Sequence, residues 1–155
     1  MTYHINGLQP EDFKPLFDLT DEELNMRDMV RVRASAKPGF PCRISLVDAE
    51  PGETLILLNY ESHDAATPYR SQYAIYVREA ATQAAEYAGA VPPVLQGRPL
   101  AFRHFDVNGM LQGASLVLDG EVDRAINTAF ARSEIAYIHA HNAAHGCFVA
   151  RIDRA

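Results

Sequence analysis

An Asn-Gly pair at positions 108 and 109 separates two strand-like segments, Leu100 to Val107 and Met110 to Leu118. Asn-Gly is the preferred pair for a two-residue type I′ turn, because both central residues of that turn need a positive φ. The pair is the strongest local signal in the sequence, and it predicts a β-hairpin with this turn. Any fold of the chain therefore has to include an antiparallel sheet.

Several other segments have the period or composition of strands. Apolar and polar residues alternate over 30–35, which is the period of a half-buried strand. Thr54 to Tyr60 is a short apolar run between turn signals, and it predicts a buried central strand. Further strands are predicted over Tyr73 to Arg78, Ile135 to His141 and Cys147 to Asp153.

Helical signals are fewer and shorter. Thr20 to Glu23 has the spacing of a capping box and predicts a helix from Asp21 to Asp28. Apolar residues at helical spacing predict an amphipathic helix over 121–132, and the composition of 80–88 predicts a third, short one. The expected fold class is α+β, a single domain over 1–155. Its mainly antiparallel sheet of about six or seven strands carries one or two helices on one face.

The charge balance limits the partners of the chain. Lysine and arginine total 14 against 20 acidic residues, a net charge of −6, so we expect no nucleic-acid and no membrane partner. The sequence has no apolar run of about 18 residues and no secretory signal, which predicts a soluble cytoplasmic protein. Two cysteines are too few for a disulfide framework or a four-cysteine zinc site, and we expect both to be thiols.

The terminal hairpin has two chemically different faces. A five-residue loop over 142–146 would pair His141 with Cys147, and strand alternation then separates the side chains into two sets. The apolar set, expected in the core, is Ala136, Ile138, Ala140, Phe148, Ala150 and Ile152. The polar set, expected outside the core, is Tyr137, His139, His141, Cys147 and Arg151. A cluster of this kind is a candidate functional site.

Three kinds of chemistry fit this face, and the sequence leaves the choice open. His139 and His141, with His145 or Cys147 as a third ligand, would suit a zinc-type metal ion. A thiol nucleophile, Cys147 beside His141 or Cys42 beside Arg43, would suit covalent catalysis. A third arrangement brings together Arg43, Arg70 and Arg151, which would clamp the carboxylate or phosphate of a small anionic molecule. A non-catalytic interaction or structural domain with a solvated polar face is the alternative to all three.

The order of several short segments resembles a known bacterial family, catalogued as domain of unknown function 1203. The segments are 38–43 (PGFPCR), 48–53 (DAEPGE), 68–70 (PYR) with 73–79 (YAIYVRE), and 139–142 (HAHN) through Gly146-Cys147 to Arg151. The resemblance runs from about Leu8 to Arg154 and implies a bacterial source and a stand-alone small domain. The family is uncharacterised, so the resemblance implies no activity and no cofactor.

The candidate site residues combine the hairpin face with these segments. We expect a small-molecule-binding or enzymatic domain in which His139, His141 and Cys147 are the candidate catalytic residues. The candidate ligand-binding residues are Cys42, Arg43, Tyr69, Arg70, Tyr137, Asn142 and Arg151.

The charge balance gives a first testable prediction. Nucleic-acid affinity comes mainly from counterion release at basic side chains, and an acidic chain without a basic stripe releases few counterions. We expect no appreciable binding to random-sequence DNA or RNA near physiological salt, measured by fluorescence anisotropy. Submicromolar binding that weakens as salt is added would contradict this expectation.

Overall fold

The computed structural model describes residues 2–155, which form two antiparallel sheets and two helices. In chain order the elements are β1 (Tyr3–Asn6), α1 (Asp21–Asn25), β2 (Val30–Arg33), β3 (Thr54–His63), β4 (Ser71–Arg78), β5 (Glu86–Ala88), β6 (Leu100–Phe105), β7 (Leu111–Val117), α2 (Val122–Phe130), β8 (Tyr137–Asn142) and β9 (Phe148–Arg154). Short 3-10 turns occur at Pro10–Asp12, Lys14–Asp18 and Pro93–Leu95. The fold class is α+β with mostly sheet, as predicted.

The larger sheet has six strands in the order β5-β1-β9-β8-β6-β7, and the smaller has the order β2-β3-β4. One face of the larger sheet packs against α2, whose residues Val122, Ile126, Ala129 and Phe130 are buried there. The other face meets the smaller sheet through aromatic contacts such as Tyr60 with Phe148. The larger sheet is therefore covered on both faces around β8 and β9. No helix of the described chain is long and apolar enough to cross a membrane.

Most elements lie where the sequence predicts them. The capping box is formed, because the Thr20 hydroxyl accepts from the Glu23 amide and the Glu23 carboxylate accepts from the Thr20 amide. Helix α1 ends at Asn25 rather than Asp28, and Asp28 has a left-handed φ of 57° that a helix does not allow. The predicted central strand is confirmed, and as β3 it continues to His63.

The hairpin at Asn108-Gly109 is confirmed, but the predicted type I′ turn is wrong. Gly109 has a φ of 80°, whereas Asn108 is not among the described non-glycine residues with positive φ. The Gly109 amide donates to the Asp106 carbonyl at 3.1 Å, the pattern of a three-residue loop closed by a left-handed glycine. The Asp106 carboxylate favours this loop by accepting from the amides of Asn108 (2.8 Å) and Met110 (3.0 Å).

The predicted helix over 80–88 is wrong, since this segment contains turns and the edge strand β5. Its backbone groups bond to other parts of the chain: the Ala85 carbonyl accepts from the Gly7 amide, and the Ala85 amide donates to the Ile44 carbonyl. A helix this short gains little from its own hydrogen bonds, so pairing with β1 prevails over helical composition.

The close approach of Gly7 to Ile44 gives a second prediction. A Cβ atom on Gly7 would lie 1.8 Å from the Ile44 carbonyl oxygen, a backbone atom that cannot move aside. We expect Gly7→Ala to lower the free energy of unfolding by about 3 kcal/mol or more, measured by urea denaturation. Gly97→Ala is the matched control, because its added methyl meets open space and incurs only the strain of a φ of 71°, roughly 1 kcal/mol. Equal losses in the two variants would contradict the steric argument.

Candidate functional site

The terminal hairpin pairs in a different register from the predicted one. His139 lies opposite Arg151 and Tyr137 opposite Asp153, while a β-bulge places His141 opposite Phe148 and leaves Val149 unpaired. The first strand continues one residue further than predicted, so that Asn142, not His141, meets Cys147. The Asn142 amide donates to the Cys147 carbonyl, and Gly146, with a φ of 81°, donates its amide to the Asn142 carbonyl. The predicted pairing of His141 with Cys147 is therefore wrong.

The bulge also changes which side chains share a face. Ile138, Ala140, Ala150 and Ile152 belong to the core beneath α2, as predicted. Phe148 does not: its ring centroid lies 5.0 Å from that of His139 and 6.0 Å from that of His141, on the opposite face. Val149 takes its place in the core beneath α2, because the extra residue reverses the alternation of the strand at that point.

The histidine-bearing face is buried, which corrects the prediction that it lies outside the core. His139 is 2% exposed, His141 4% and Tyr137 8%, because strands β3 and β4 cover them. The ring of Tyr73 on β4 meets that of His141 at 4.9 Å, and His63 at the end of β3 meets His139 at 5.2 Å. We call the set His63, Phe105, Tyr137, His139, His141 and Phe148 the histidine cluster.

Hydrogen bonds orient two of the three imidazoles. His63 Nδ1 donates to the Tyr69 carbonyl at 2.9 Å, and its Nε2 lies 2.7 Å from the Tyr137 hydroxyl. His141 Nδ1 donates to the Gly146 carbonyl at 2.8 Å, so it fixes the loop before Cys147. His139 forms no hydrogen bond within residues 2–155, and it makes only ring contacts.

Burial keeps two of these imidazoles unprotonated. Desolvation, helped by the neighbouring His63 and His141, lowers the pKa of His139 to about 2. Desolvation also lowers the pKa of His141 to about 4, although the hydrogen bond to Gly146 opposes the change. Both are therefore neutral bases at pH 7, and they act as uncharged aromatic rings between the sheets.

The cluster does not have the geometry of a metal site. The ring centroids of His139 and His141 are 6.4 Å apart, and His145 lies exposed on the loop. Within residues 2–155, no group of three or more histidine, cysteine or acidic side chains is arranged to hold a metal ion. All three rings pack against other rings, and only His63 and His141 also use their nitrogens, for contacts with backbone carbonyls and the Tyr137 hydroxyl.

The three arginines expected to converge each have a partner of their own. Arg70 is exposed and binds Glu61 through two hydrogen bonds of 3.0 Å. Arg151 pairs with Asp153 at 2.8 Å and lies 4.0 Å above the ring of Tyr137. Arg43 alone is fully buried, at 1% exposure. The predicted clamp is not formed.

Arg43 instead forms a compact polar group with the terminal hairpin. Its Nη2 donates to Cys147 Sγ at 3.4 Å, and Asn142 Nδ2 donates to the same sulfur at 3.3 Å. Cys147 as a residue is partly exposed. Both donors use its sulfur as a hydrogen-bond acceptor. We call Arg43, Asn142 and Cys147 the thiol site.

The charge of Arg43 has no carboxylate partner in the described chain. Its Nε donates to the Phe148 carbonyl at 2.8 Å and its Nη1 to the Pro41 carbonyl at 2.6 Å. Burial lowers the pKa of this guanidinium, and the neighbouring Cys147 and Cys42 sulfurs oppose that change. A buried charge without a counter-charge is costly, and here two carbonyl oxygens and the sulfur surround it.

Local structure explains why Arg43 is held there. The segment after the cis Lys37-Pro38 bond forms an isolated bridge from Pro41 to Asp48, and Leu46 takes a φ of 54° in the tight turn that follows. The Arg43 amide donates to the Tyr76 carbonyl of β4, and its carbonyl accepts from the Leu8 amide. The backbone is thus fixed on both sides, and the side chain points to β9.

The second cysteine has a different environment. Cys42 is 0% exposed, and its Sγ accepts from the backbone amides of Ile44 and Arg78, each at 3.4 Å. A fully enclosed sulfur bound by backbone amides is typical of a structural thiol. Cys42 therefore does not share the accessibility of Cys147.

An open cleft of about 320 Å³ adjoins the thiol site. Its lining includes Pro38, Pro41, Arg98, Asn142 and His145, and the Arg98 guanidinium there is paired with Asp48 at 2.6 Å. Asn142 belongs both to this cleft and to the thiol site. A more enclosed cavity of about 290 Å³ lies elsewhere, beside Phe13 and Phe17, and holds neither cysteine nor histidine.

Comparison with known proteins agrees with the resemblance found in the sequence. One family model, described as "Protein of unknown function (DUF1203)", matches residues 39–154, which is more than half of the chain. The chain belongs to this family. The matched range contains Arg43, Asn142 and Cys147, but it begins later than the expected start near Leu8. Neither the curated proteins nor the solved structures gave a match to the chain.

The buried imidazoles give a third prediction. Their folded-state pKa values lie below the unfolded value of about 6.5, so the unfolded chain binds protons first as the pH falls. Their contribution to stability is complete above about pH 6.5 and is lost as the pH falls, towards pH 4 for His141 and pH 2 for His139. Between pH 7 and pH 5 we expect the free energy of unfolding to fall by about 2 kcal/mol for each imidazole.

Urea denaturation at stepped pH values measures this loss. His139→Phe removes one titrating group, so its stability should decline less steeply between pH 7 and pH 5. Gln83→Phe is the control, because it adds the same ring at an exposed position and removes no titrating group, so the slope should stay unchanged. An unchanged slope in His139→Phe would show that His139 does not resist protonation.

Proposed function

We propose that the chain is a small-molecule-binding enzymatic domain in which Cys147 is the reacting nucleophile. Arg43 and Asn142 stabilise negative charge on its sulfur, and the cleft beside Asn142 admits the substrate. The observation that carries this proposal is the fully buried guanidinium of Arg43, which has no carboxylate partner in the described chain and donates to Cys147 Sγ.

The chemistry of arginine supports a catalytic purpose for this contact. A guanidinium used only to hold the sheets together would be less costly with a carboxylate partner, as Arg98 has in Asp48. A sulfur that carries negative charge compensates the buried cation and is also the reactive form of cysteine. Asn142 adds a second donor from the cleft side of the sulfur.

The roles of the remaining candidates follow from their contacts. His141 is a positioning residue in this proposal, because its Nδ1 holds the Gly146 carbonyl next to Cys147. His139 and Tyr137 pack the layer between the sheets, and Tyr69 anchors His63 through its carbonyl. Arg70 and Arg151 act in surface ion pairs, while Cys42 is structural.

The cleft suggests the kind of substrate, and the free cysteines suggest the compartment. Its lining is mostly proline, glycine and alanine, and the charge of Arg98 there is paired with Asp48, which favours a small neutral electrophile. A working thiol has to stay reduced, and both cysteines of the chain are free. We therefore infer a location in a reducing compartment such as the cytoplasm.

Thiol alkylation tests this proposal. At pH 7 we expect iodoacetamide to modify Cys147 at least about tenfold faster than N-acetylcysteine, because two donors stabilise its reactive form. Arg43→Met should lose this advantage, and Arg124→Gln, which removes an exposed guanidinium paired with Glu121, should keep it. Mass spectrometry of peptides identifies the modified cysteine, and circular dichroism checks that each variant is folded.

Two results would contradict the proposal. One is a Cys147 rate no greater than that of N-acetylcysteine in the folded wild-type chain. The other is an unchanged rate in folded Arg43→Met, which would restrict the guanidinium to a structural role.

A further inference from the structure

We infer that strand β7 is an interface at which a second copy of this chain pairs antiparallel, across a two-fold axis at Ser115. Strand β7 lies at the edge of the larger sheet, with β6 as its single neighbour. Its free backbone groups, its lack of charge, and the small residues before Ser115 and large ones after it favour a partner strand of the same sequence. No residue of the thiol site takes part.

The outer side of β7 has backbone groups without hydrogen-bond partners. The Phe105 carbonyl accepts from the Ala136 amide, so the backbone groups of Phe105 point towards β8. Because these directions alternate along an antiparallel strand, the next residues of β6 point alternately to β7 and β8. The β7 residues bonded to β6 are then Gly113, Ser115 and Val117. Ala114 and Leu116 point outward, and within residues 2–155 their amides and carbonyls have no partner on that side.

Contacts within the chain limit this free edge at both ends. Before it, the Gln112 carbonyl accepts from the Arg132 guanidinium at 3.2 Å. After it, the Leu118 carbonyl accepts from the Glu121 amide at 3.1 Å. The free edge is therefore residues 113–117, which is long enough for two closely spaced pairs of hydrogen bonds with another strand.

Strand β7 lacks the features that normally keep a strand edge from pairing, such as charged residues, proline or very short length. Edge strand β2 contains two arginines, β5 has three residues, and Tyr76 of β4 is bridged to Cys42. By contrast, the segment 107–118 has neither a charged residue nor a proline. Leu116 in this segment is 68% exposed. The edge of β7 is therefore open to a strand partner.

Exposed apolar side chains are concentrated on the same hairpin. The large apolar residues that are exposed there are Val107, Met110, Leu116 and Leu118, and only Met26 and Val30 are comparably exposed elsewhere in residues 2–155. Concentrated apolar exposure beside free backbone groups is typical of an interaction surface.

The free edge is complementary to itself. With a two-fold axis at Ser115, Ala114 lies opposite Leu116 of the second copy, and Gly113 lies opposite Val117. Each large side chain then meets a small residue, and the two serines meet at the axis. Because Ala114 and Leu116 are the outward-pointing residues, their pairs exchange the hydrogen bonds that neither copy makes alone.

Charge and symmetry favour a second copy over an unrelated strand. Two chains of net charge −6 repel each other, so contact between them needs a surface without acidic groups, and the segment 107–118 is such a surface. Both copies use the same edge, so assembly stops at a dimer. A single strand pair buries little area, which is typical of a weak and reversible interface.

Sedimentation velocity of the full chain, from about 5 μM to about 500 μM, tests the inference. We expect the wild-type chain to shift reversibly from monomer to dimer. Ala114→Lys with Leu116→Lys places like charges on both sides of the axis, and it should weaken dimerisation at least about tenfold. Met26→Lys with Ala90→Lys adds the same charge at exposed positions outside β7 and should dimerise like the wild type. Circular dichroism checks that each variant is folded.

A charge-swapped variant tests the pairing itself. Ala114→Glu with Leu116→Glu should weaken self-association at least as much as the lysine variant, since it also adds to the negative charge of the chain. In an equal mixture of the two variants, each introduced lysine lies opposite an introduced glutamate. We expect the mixture to form a dimer at concentrations where each variant alone is a monomer.

A cysteine at the axis tests the register. Residues opposite each other in a non-hydrogen-bonded antiparallel pair have Cα atoms about 4.5 Å apart, within the range of a disulfide. In a Cys147→Ser background, Ser115→Cys should therefore form a disulfide-linked dimer under mild oxidation. Leu116→Cys is the control, because position 116 is exposed but offset along the strand from its symmetry mate, and it should cross-link at least about tenfold more slowly.

Three results would overturn the inference. The first is a wild-type chain that stays monomeric over these concentrations, as it would if the edge took an extended segment of a different protein. The second is a dimer that persists in the folded lysine variant, or a mixture that does not recover dimerisation, because the contact would then lie elsewhere. The third is cross-linking of Leu116→Cys as fast as that of Ser115→Cys, which would contradict an axis at Ser115.

Discussion

Arg43 joins the two sheets of this protein. Its backbone amide binds β4 through the Tyr76 carbonyl, and its side chain reaches β9 through the Phe148 carbonyl. The backbone carbonyl of Arg43 accepts from the amide of Leu8, a residue that lies just after β1. The buried cation is tolerated because two carbonyl oxygens and a sulfur accept its hydrogen bonds. The Cys147 sulfur is thereby held between the two sheets.

Features that depend on neighbouring residues could be predicted from the sequence. The Thr20 capping box, the amphipathic helix α2 and the hairpin around Gly109 each result from a few adjacent side chains. The segment over 80–88 could not, because its backbone pairs with Gly7 and Ile44, which are distant in sequence. The bulge at Val149 could not be predicted either. It arises because the loop pairs His141 with Phe148 while Ala140 pairs with Ala150, which leaves Val149 without a partner.

For the thiol site, the sequence predicted which residues to consider better than it predicted their surroundings. Arg43, Asn142 and Cys147 were all named from the family-like segments, and the structure brings them into contact. The histidine face was expected outside the core, because a polar face on one hairpin normally lies opposite the apolar one. Imidazoles also pack well as aromatic rings once a second sheet covers them, and no local pattern reveals that sheet. His63 was missed because its partner Tyr137 lies 74 residues away.

Burial separates the titratable groups of this region into two kinds. Full enclosure removes the charge from His139 and His141, so they act as neutral rings and as a support for the Gly146 carbonyl. Arg43 keeps its charge at comparable burial, because a guanidinium is too basic to lose its proton. The two sulfurs beside it differ in their surroundings, because Cys42 is fully enclosed and bound by backbone amides, whereas Cys147 is partly exposed. The proposed nucleophile is therefore the cysteine that combines a buried cationic donor with partial exposure, and no pattern of adjacent residues in the sequence predicts that combination.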